Sequence, residues 1–194
     1  MIEPVTGIIL AGGRGLRMGG VDKGLRVLRG QPLVAWVLER FAPQVDEVLI
    51  NANQNVDAYA GFGKRVICDE IGGFAGPLAG LQRGLSEAAH PLVATVPCDS
   101  PFLPHDLVSR LAAAMQSAHA QLAVARTGTQ PHPVFCLCRR DVRPHLVQFL
   151  ASGGRKIDAW YSTLAVVEVA FDDEPDAFSN INTPEELRAF EGAR

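Results

Sequence analysis

The chain has 194 residues, of which 47% are hydrophobic and 20% are charged, a balance typical of globular proteins. The net charge of −3 argues against a basic nucleic-acid-binding surface, and no apolar run approaches the length of a membrane span. The four cysteines form no Cys-x-x-Cys motif, which favours reduced thiols and a cytoplasmic protein. We therefore expect a single domain that binds neither nucleic acid nor membrane.

Short apolar runs alternate with segments of helical periodicity along the chain. Strands are predicted at 5–11, 47–51, 65–68, 92–96, 122–126, 134–138 and 164–169. Helices are predicted at 32–41, 55–60, 77–89, 104–118, 141–150, 155–160 and 184–190. This alternation predicts an α/β fold, namely one Rossmann-like domain with a mainly parallel sheet and helices on both faces. The pair His132-Pro133 is predicted to form a turn before the sixth strand.

The first predicted strand leads into a glycine-rich, cationic segment, IILAGGRGLRMGGVDKG at 8–24. Glycines let backbone N–H groups approach an anion, and Arg14, Arg17 and Lys23 supply positive charge. A Walker A motif is excluded because no glycine precedes Lys23 and no hydroxyl residue follows it. The dinucleotide fingerprint fails because Met18 stands where its third glycine belongs. The segment therefore indicates another kind of phosphate-binding loop; the alternative is a surface turn that binds nothing.

Polar residues stand where the predicted parallel strands end, and such ends share one edge of a sheet. Gly12, Asn51, Asp69 and Asp99 each end or follow one of the first four strands. Asp99 can coordinate Mg²⁺ together with substrate phosphates, or it can cap a turn at Ser100. Asp69 and Asn51 can bind ribose or base, or they can simply end their strands. These positions predict a ligand-binding cleft.

Three further segments are candidates for binding. The helix that begins in GPLAG, 76–80, can direct its first amides at a nucleotide, or it is an ordinary proline-initiated helix. Asn180 and Asn182 lie on one side of an extended segment and can offer amides to an acceptor phosphate. Residues 183–186 form a capping box that begins the last helix. Arg155 follows two glycines and makes a second cationic spot, or it lies in a solvated turn.

LAGGRGLRMGGVDKG, GPLAG, PCDSPFLP and NINTPEE together resemble the molybdenum cofactor guanylyltransferase family, from about residue 8 to residue 190. The resemblance implies one nucleotidyltransferase domain over 1–194, with a GTP-binding part at about 1–100 and a pterin-binding part at about 101–194. It implies that GMP passes from GTP to the phosphate of molybdenum-bound molybdopterin, and that pyrophosphate leaves. Other cofactor-biosynthesis proteins and molybdoenzyme chaperones are further partners that it suggests.

The resemblance also assigns residues. The implied GTP-binding positions are Leu10, Ala11, Gly12, Gly13, Lys23, Asn51, Asp69, Gly80 and Asp99. The positions implied for catalysis or for the pterin acceptor are Gly13, Arg17, Gly20, Arg155, Asn180 and Asn182. Arg17, Lys23 and Asp99 are the predicted catalytic residues, and Asp99 is the predicted Mg²⁺ ligand.

The expected chemistry is in-line attack by the acceptor phosphate on the α-phosphorus of GTP. Mg²⁺ on Asp99 would neutralise charge, and Lys23 and Arg17 would stabilise the α-phosphate and the leaving group. One alternative is the cytidylyltransferase of the same cofactor, whose loop resembles L-A-A-G rather than L-A-G-G. A second is a non-catalytic GTP-binding module that delivers the cofactor, and sugar-phosphate nucleotidyltransferases share the general loop.

Overall fold

A computed structural model describes residues 3–12, 22–70, 76–181, 183 and 185–188. The strands are β1 Val5–Leu10, β2 Val27–Leu28, β3 Gln31–Pro32, β4 Glu47–Asn51, β5 Arg65–Ile67, β6 Leu92–Pro97, β7 Leu122–Thr127, β8 Gln130–Arg139 and β9 Val166–Ala170. The helices are α1 Leu33–Phe41, α2 Val56–Ala60, α3 Pro77–Glu87, α4 Leu107–Ser117, α5 Arg143–Ala151 and α6 Ile157–Tyr161, and 185–188 are also helical.

One large sheet runs through both halves of the chain in the order β5-β4-β1-β6-β8-β7-β9, and β2 pairs with β3 in a small hairpin. The neighbours β5, β4, β1 and β6 are parallel, as are β7 and β9. Strand β8 is antiparallel to both of its neighbours. The mainly parallel α/β sheet predicted from the sequence is confirmed, and its first four strands end at the same edge.

Helices cover both faces of the sheet, because the strand side chains alternate between two apolar clusters. On β1, Val5 and Ile9 join a cluster with α1 and α4, whereas Ile8 joins a second cluster with α3, α5 and α6. Each fully buried aliphatic side chain contributes roughly 1.5–3 kcal/mol to this packing. The sheet is therefore held rigidly from both sides, which fixes the positions of its strand ends.

Helix α3 packs closely against β1 at Gly84, where an added Cβ would stand 1.9 Å from Ile8 Cδ1. It starts at Pro77 after Gly76, whose φ of +65° is a backbone conformation that favours glycine. The beginning of α3 is thereby placed beside the carboxyl end of β1.

One prediction about the strands was wrong. His132 and Pro133 lie within β8 rather than in a turn, and β8 is ten residues long. The pairing register with β7 shifts between Val124 and Ala125, and such an irregularity accommodates a proline that has no N–H to donate.

The capping box is confirmed by two hydrogen bonds. The Thr183 amide donates to Glu186 Oε2 at 3.0 Å, and the Glu186 amide donates to Thr183 Oγ1 at 3.1 Å. Across the described ranges, every helix falls short of the length and apolarity that crossing a membrane requires.

Candidate functional site

The carboxyl ends of four adjacent strands are joined by backbone hydrogen bonds that continue past the strands. Leu10 is in register with both Asn51 and Pro97. The Ala11 amide donates to the Asn51 carbonyl at 2.8 Å, and the Cys98 amide donates to the Leu10 carbonyl at 3.1 Å. The residues that follow β1, β4, β5 and β6 therefore lie along one edge of the sheet.

A partly buried amide–carboxylate cluster lies at the ends of β4 and β5. Asn51 Nδ2 donates to Asp69 Oδ1 at 2.9 Å, and Asn53 Nδ2 donates to Asp69 Oδ2 at 2.7 Å. Asn53 Oδ1 also accepts from the Asp69 amide at 2.8 Å. Each carboxylate oxygen thus has one partner and one remaining acceptor position, which can take a ribose hydroxyl or a base N–H.

Two glycines leave room around this cluster. A Cβ on Gly12 would lie 2.9 Å from Asn53 Nδ2 and 3.2 Å from Asn51 Oδ1. A Cβ on Gly80 would lie 2.4 Å from Asn51 Oδ1 and 2.7 Å from Leu10 Cδ2. Both positions require glycine because polar side chains approach the backbone closely there. Gly80 therefore supports the placement of Asn51.

A second polar group lies at the end of β6, where Lys23 Nζ stands 3.2 Å from Asp99 Oδ2. The Asp99 side chain is 8% exposed and that of Lys23 is 31% exposed. Burial disfavours a charged carboxylate, and the nearby ammonium offsets that cost. Lys23 begins a short 3-10 helix, Lys23–Leu25, and this turn carries its side chain towards Asp99.

The segment containing Asn180 lies directly against Asp99. The Ile181 amide donates to the Asp99 carbonyl at 2.9 Å, and Ser100 Oγ donates to Asn180 Oδ1 at 2.5 Å. Ile181 is fully buried against Leu28 and Leu33, which anchors the segment. A residue near the end of the chain is thereby brought to the same edge as the first strand ends.

Arg155 is not brought into contact with these groups by any hydrogen bond described. Its guanidinium donates to the carbonyls of Leu150 and Gly154 at 2.8 and 2.6 Å, where it closes the end of α5. Leu10 and Ala11 lie at the end of β1 with the other strand-end residues. The predicted positions Gly13, Arg17, Gly20 and Asn182 lie outside the described residues.

The side chains that hold the site together are not among the predicted residues. Asn53 is not predicted, although it alternates with Asn51 and so shares its face. Asp22, directly before Lys23, accepts from the Gly24 amide at 3.2 Å and from the Tyr59 hydroxyl at 2.5 Å. Nothing in the local pattern of α2 indicated that Tyr59 would reach the loop.

The described residues contain no group of three or more His, Cys, Asp or Glu side chains that could hold a metal ion by themselves. A single buried carboxylate such as Asp99 suits Mg²⁺, which is usually held by one or two carboxylates together with substrate phosphates and water. The site thus offers an acidic group, an ammonium and a carboxylate–amide cluster along one edge, an arrangement suited to a nucleoside phosphate.

The chain matches known proteins over most of its length. The family model described as MobA-like NTP transferase domain matches residues 7–166. A protein from Cupriavidus taiwanensis named molybdenum cofactor guanylyltransferase is 50% identical over 194 residues, covering 97% of each chain. One of the same name from Shewanella amazonensis is 48% identical, covering 94% of this chain and 93% of its own.

Solved structures share the fold. The crystal structure of molybdopterin-guanine dinucleotide biosynthesis protein A from Archaeoglobus fulgidus superposes with a TM-score of 0.78 at 24% identity, covering 96% of each chain. The 2-C-methyl-D-erythritol 4-phosphate cytidylyltransferase from Thermus thermophilus gives a TM-score of 0.70 at 19% identity, covering 98% of each chain. The family match and the extent of the identity show that this chain belongs to the MobA-like nucleotidyltransferases, and among them to the molybdenum cofactor guanylyltransferase family.

Proposed function

We propose that the protein transfers GMP from GTP to the terminal phosphate of molybdenum-bound molybdopterin, which gives the guanine dinucleotide form of the cofactor and pyrophosphate. The observation that carries the proposal is the Lys23–Asp99 pair, 3.2 Å apart at the shared strand edge, in a chain 50% identical to a named guanylyltransferase. We place the reaction in the cytoplasm. The N-terminal part, about 1–100, binds GTP, and the part at about 101–194 binds the acceptor.

The nucleoside is bound at the ends of β4 and β5. Asn51 and Asn53 each donate to one oxygen of Asp69, so the carboxylate is fixed in orientation before a ligand arrives. The remaining lone pairs of Asp69 accept hydrogen bonds from the ribose or from the guanine edge. Gly12 and Gly80 allow the nucleotide and Asn51 to approach the backbone closely.

The triphosphate lies over the loop and the end of β6. Lys23 stabilises the charge that builds up on the α-phosphate and on the leaving pyrophosphate, and Arg17 is assigned the same role from its position in the motif. Asp99 is the residue that would hold Mg²⁺, which supplies charge neutralisation at the phosphates when bound. The acceptor phosphate is largely ionised near neutral pH, so no side chain has to act as the nucleophile or to remove a proton.

The acceptor lies on the side of Asp99 occupied by Asn180. The side-chain oxygen of Asn180 accepts a hydrogen bond from the Ser100 hydroxyl. The side-chain N–H groups of Asn180 are then the donors for the acceptor phosphate. Asn182 and Arg155 are assigned to the same substrate, with Arg155 as a more distant cation. Proteins that supply molybdopterin or receive the product would approach this side.

The test is a pyrophosphate-release assay with purified protein, Mg²⁺, molybdenum-loaded molybdopterin and either GTP or CTP. The proposal expects release with GTP and little with CTP. Release with CTP alone would make the protein the cytidylyltransferase of the same cofactor. Tight GTP binding without pyrophosphate release would leave a cofactor-delivery module instead.

A further inference from the structure

The loop residue next to the catalytic lysine is held by a network that reaches α2. Asp22 Oδ1 accepts from the Tyr59 hydroxyl at 2.5 Å and from the Gly24 amide at 3.2 Å. Asp22 Oδ2 accepts from Asn55 Nδ2 at 3.0 Å. Lys23 thus lies between Asp22, which supplies this carboxylate, and Gly24, whose amide donates to it.

The network is tightly packed as well as hydrogen bonded. Tyr59 is fully buried. A Cβ on Gly24 would lie 2.5 Å from the Tyr59 hydroxyl oxygen and 3.1 Å from Cys98 Sγ. Cys98 directly precedes Asp99, so the turn containing Lys23 packs against the side chain of the residue next to its partner. This packing leaves the backbone at Gly24 little freedom to move away from the end of β6.

The Tyr59 hydroxyl is suited to remain a donor. Burial and the negative charge of Asp22 both raise the pKa of Tyr59 above its usual value, so the hydroxyl keeps its proton at physiological pH. A hydrogen bond to a charged carboxylate is stronger than one between neutral groups. The Tyr59 hydroxyl is therefore a hydrogen-bond donor to Asp22 in the folded protein.

We propose that Tyr59 is a positioning residue for nucleotidyl transfer: through Asp22, it fixes the Lys23–Gly24 turn so that the ammonium stays where the phosphates bind. The inference rests on the proposed function, because it assumes that Lys23 contacts the triphosphate. Tyr59 itself belongs to the buried cluster on one face of the sheet and touches no substrate. Its effect on the reaction passes entirely through Asp22 and the turn.

The test is Tyr59→Phe, which removes the hydroxyl and keeps the ring in the core. We expect GTP to bind about three- to tenfold more weakly, which is less than the full worth of a hydrogen bond to a charged group because Tyr59 acts on GTP only through Asp22 and the turn. Guanosine, which has no phosphate, should bind as before. In a Lys23→Ala background the same substitution should change GTP affinity by less than about twofold, because Tyr59 then has no lysine to position. Both affinities are measured by titration, with thermal unfolding recorded for each variant.

The matched control is Tyr161→Phe. Tyr161 is also buried, and its hydroxyl donates to the Pro133 carbonyl at 2.6 Å on the other face of the sheet. This control should leave GTP affinity unchanged even if it lowers the unfolding temperature. If Tyr59→Phe does not fold, Asp22→Ala takes its place, since alanine removes the oxygen that accepts from both the Tyr59 hydroxyl and the Gly24 amide.

The inference is overturned if Tyr59→Phe binds GTP as the wild type does, if guanosine binding falls equally, or if the loss persists in the Lys23→Ala background. Those results leave the proposed function standing, provided that the wild type binds GTP and releases pyrophosphate. A wild-type protein that does neither refutes the proposed function itself.

Discussion

Gly80→Ala perturbs the candidate site through a single methyl group. The new Cβ would lie 2.4 Å from Asn51 Oδ1 and 2.7 Å from Leu10 Cδ2, well inside ordinary contact distances. Helix α3 is fixed by its packing on Ile8, so Asn51 has to move. Because Asn51 donates to Asp69 at 2.9 Å, the displacement also disturbs the carboxylate that we assign to the nucleoside.

The size of the effect follows from two opposed contributions. Overpacking of a rigid site costs about 1–3 kcal/mol, whereas replacing glycine by alanine inside a helix returns up to about 1 kcal/mol of helix stability. We therefore expect the free energy of unfolding to fall by about 0–2 kcal/mol. GTP affinity should fall by about 5- to 150-fold, which is the overpacking range expressed as a ratio of dissociation constants.

Gly84→Ala is the matched control, since Gly84 lies one turn further along α3. Its Cβ would lie 1.9 Å from Ile8 Cδ1, in the core and away from the Asn51–Asp69 cluster. This variant should lose thermal stability and keep its GTP affinity while folded. Isothermal titration below the unfolding temperature separates the two effects. If Gly80→Ala binds GTP as tightly as the wild type does, or if both variants weaken binding equally, the role assigned to Gly80 and Asn51 is wrong.

Three further predictions concern other parts of the molecule. Asp99→Asn should lower the rate of pyrophosphate release by about 10²- to 10³-fold and weaken GTP binding much less, because the carboxylate acts mainly on charge that develops during the reaction. Single-turnover kinetics and a GTP titration measure the two effects, and equal losses of rate and of GTP affinity would mean that Asp99 acts only in binding. Arg155→Ala should raise KM for molybdopterin and leave the GTP dissociation constant unchanged, since its described bonds lie at the end of α5, and weaker GTP binding would contradict this assignment. Burial lowers the pKa of His132 from 6.5, so on acidification the unfolded chain takes up this proton before the folded chain does, and stability is lost as the pH falls below about 6.5. His132→Gln should therefore show a smaller drop in unfolding temperature between pH 7.5 and 5.5, and an unchanged drop would exclude His132 as a source of this pH dependence.

The fold was predictable because its signals are local and repeated. Apolar strands alternate with helical periodicity, and the observed elements differ from the predicted ones mainly at their ends. The exceptions are the β2–β3 hairpin, which no predicted strand matches, and β8, where a proline in the sequence indicated a turn although the strand continues through it. Whether a proline interrupts a strand depends on the register with the neighbouring strand, and that pairing is a tertiary property.

The site was predictable only at the strand ends. Asn51, Asp69 and Asp99 stand out because a polar residue directly after a buried run is unusual and because parallel strands end together. Asn53 and Tyr59 do not stand out, because each acts by supporting a distant side chain. Asn53 supports Asp69, 16 residues away, and Tyr59 supports Asp22, 37 residues away. The alternation of Asn51 and Asn53 places them on one face, but which carboxylate they meet is fixed by tertiary packing and leaves no pattern in the sequence.

The arrangement of the strand ends also constrains how the site tolerates change. Asn51 and Asn53 face Asp69 because they alternate around Ala52, which is fully buried in the core below. Inserting or deleting one residue in β4 would exchange these faces, turning the amides into the apolar core and the alanine towards Asp69. A register shift in β6 would have the same effect, because the core residue Cys98 directly precedes Asp99 and would exchange faces with it. The chemistry of the site therefore depends on strand register as much as on residue identity, and a substitution in the core that shifts either register would abolish GTP binding even though every polar residue is still present.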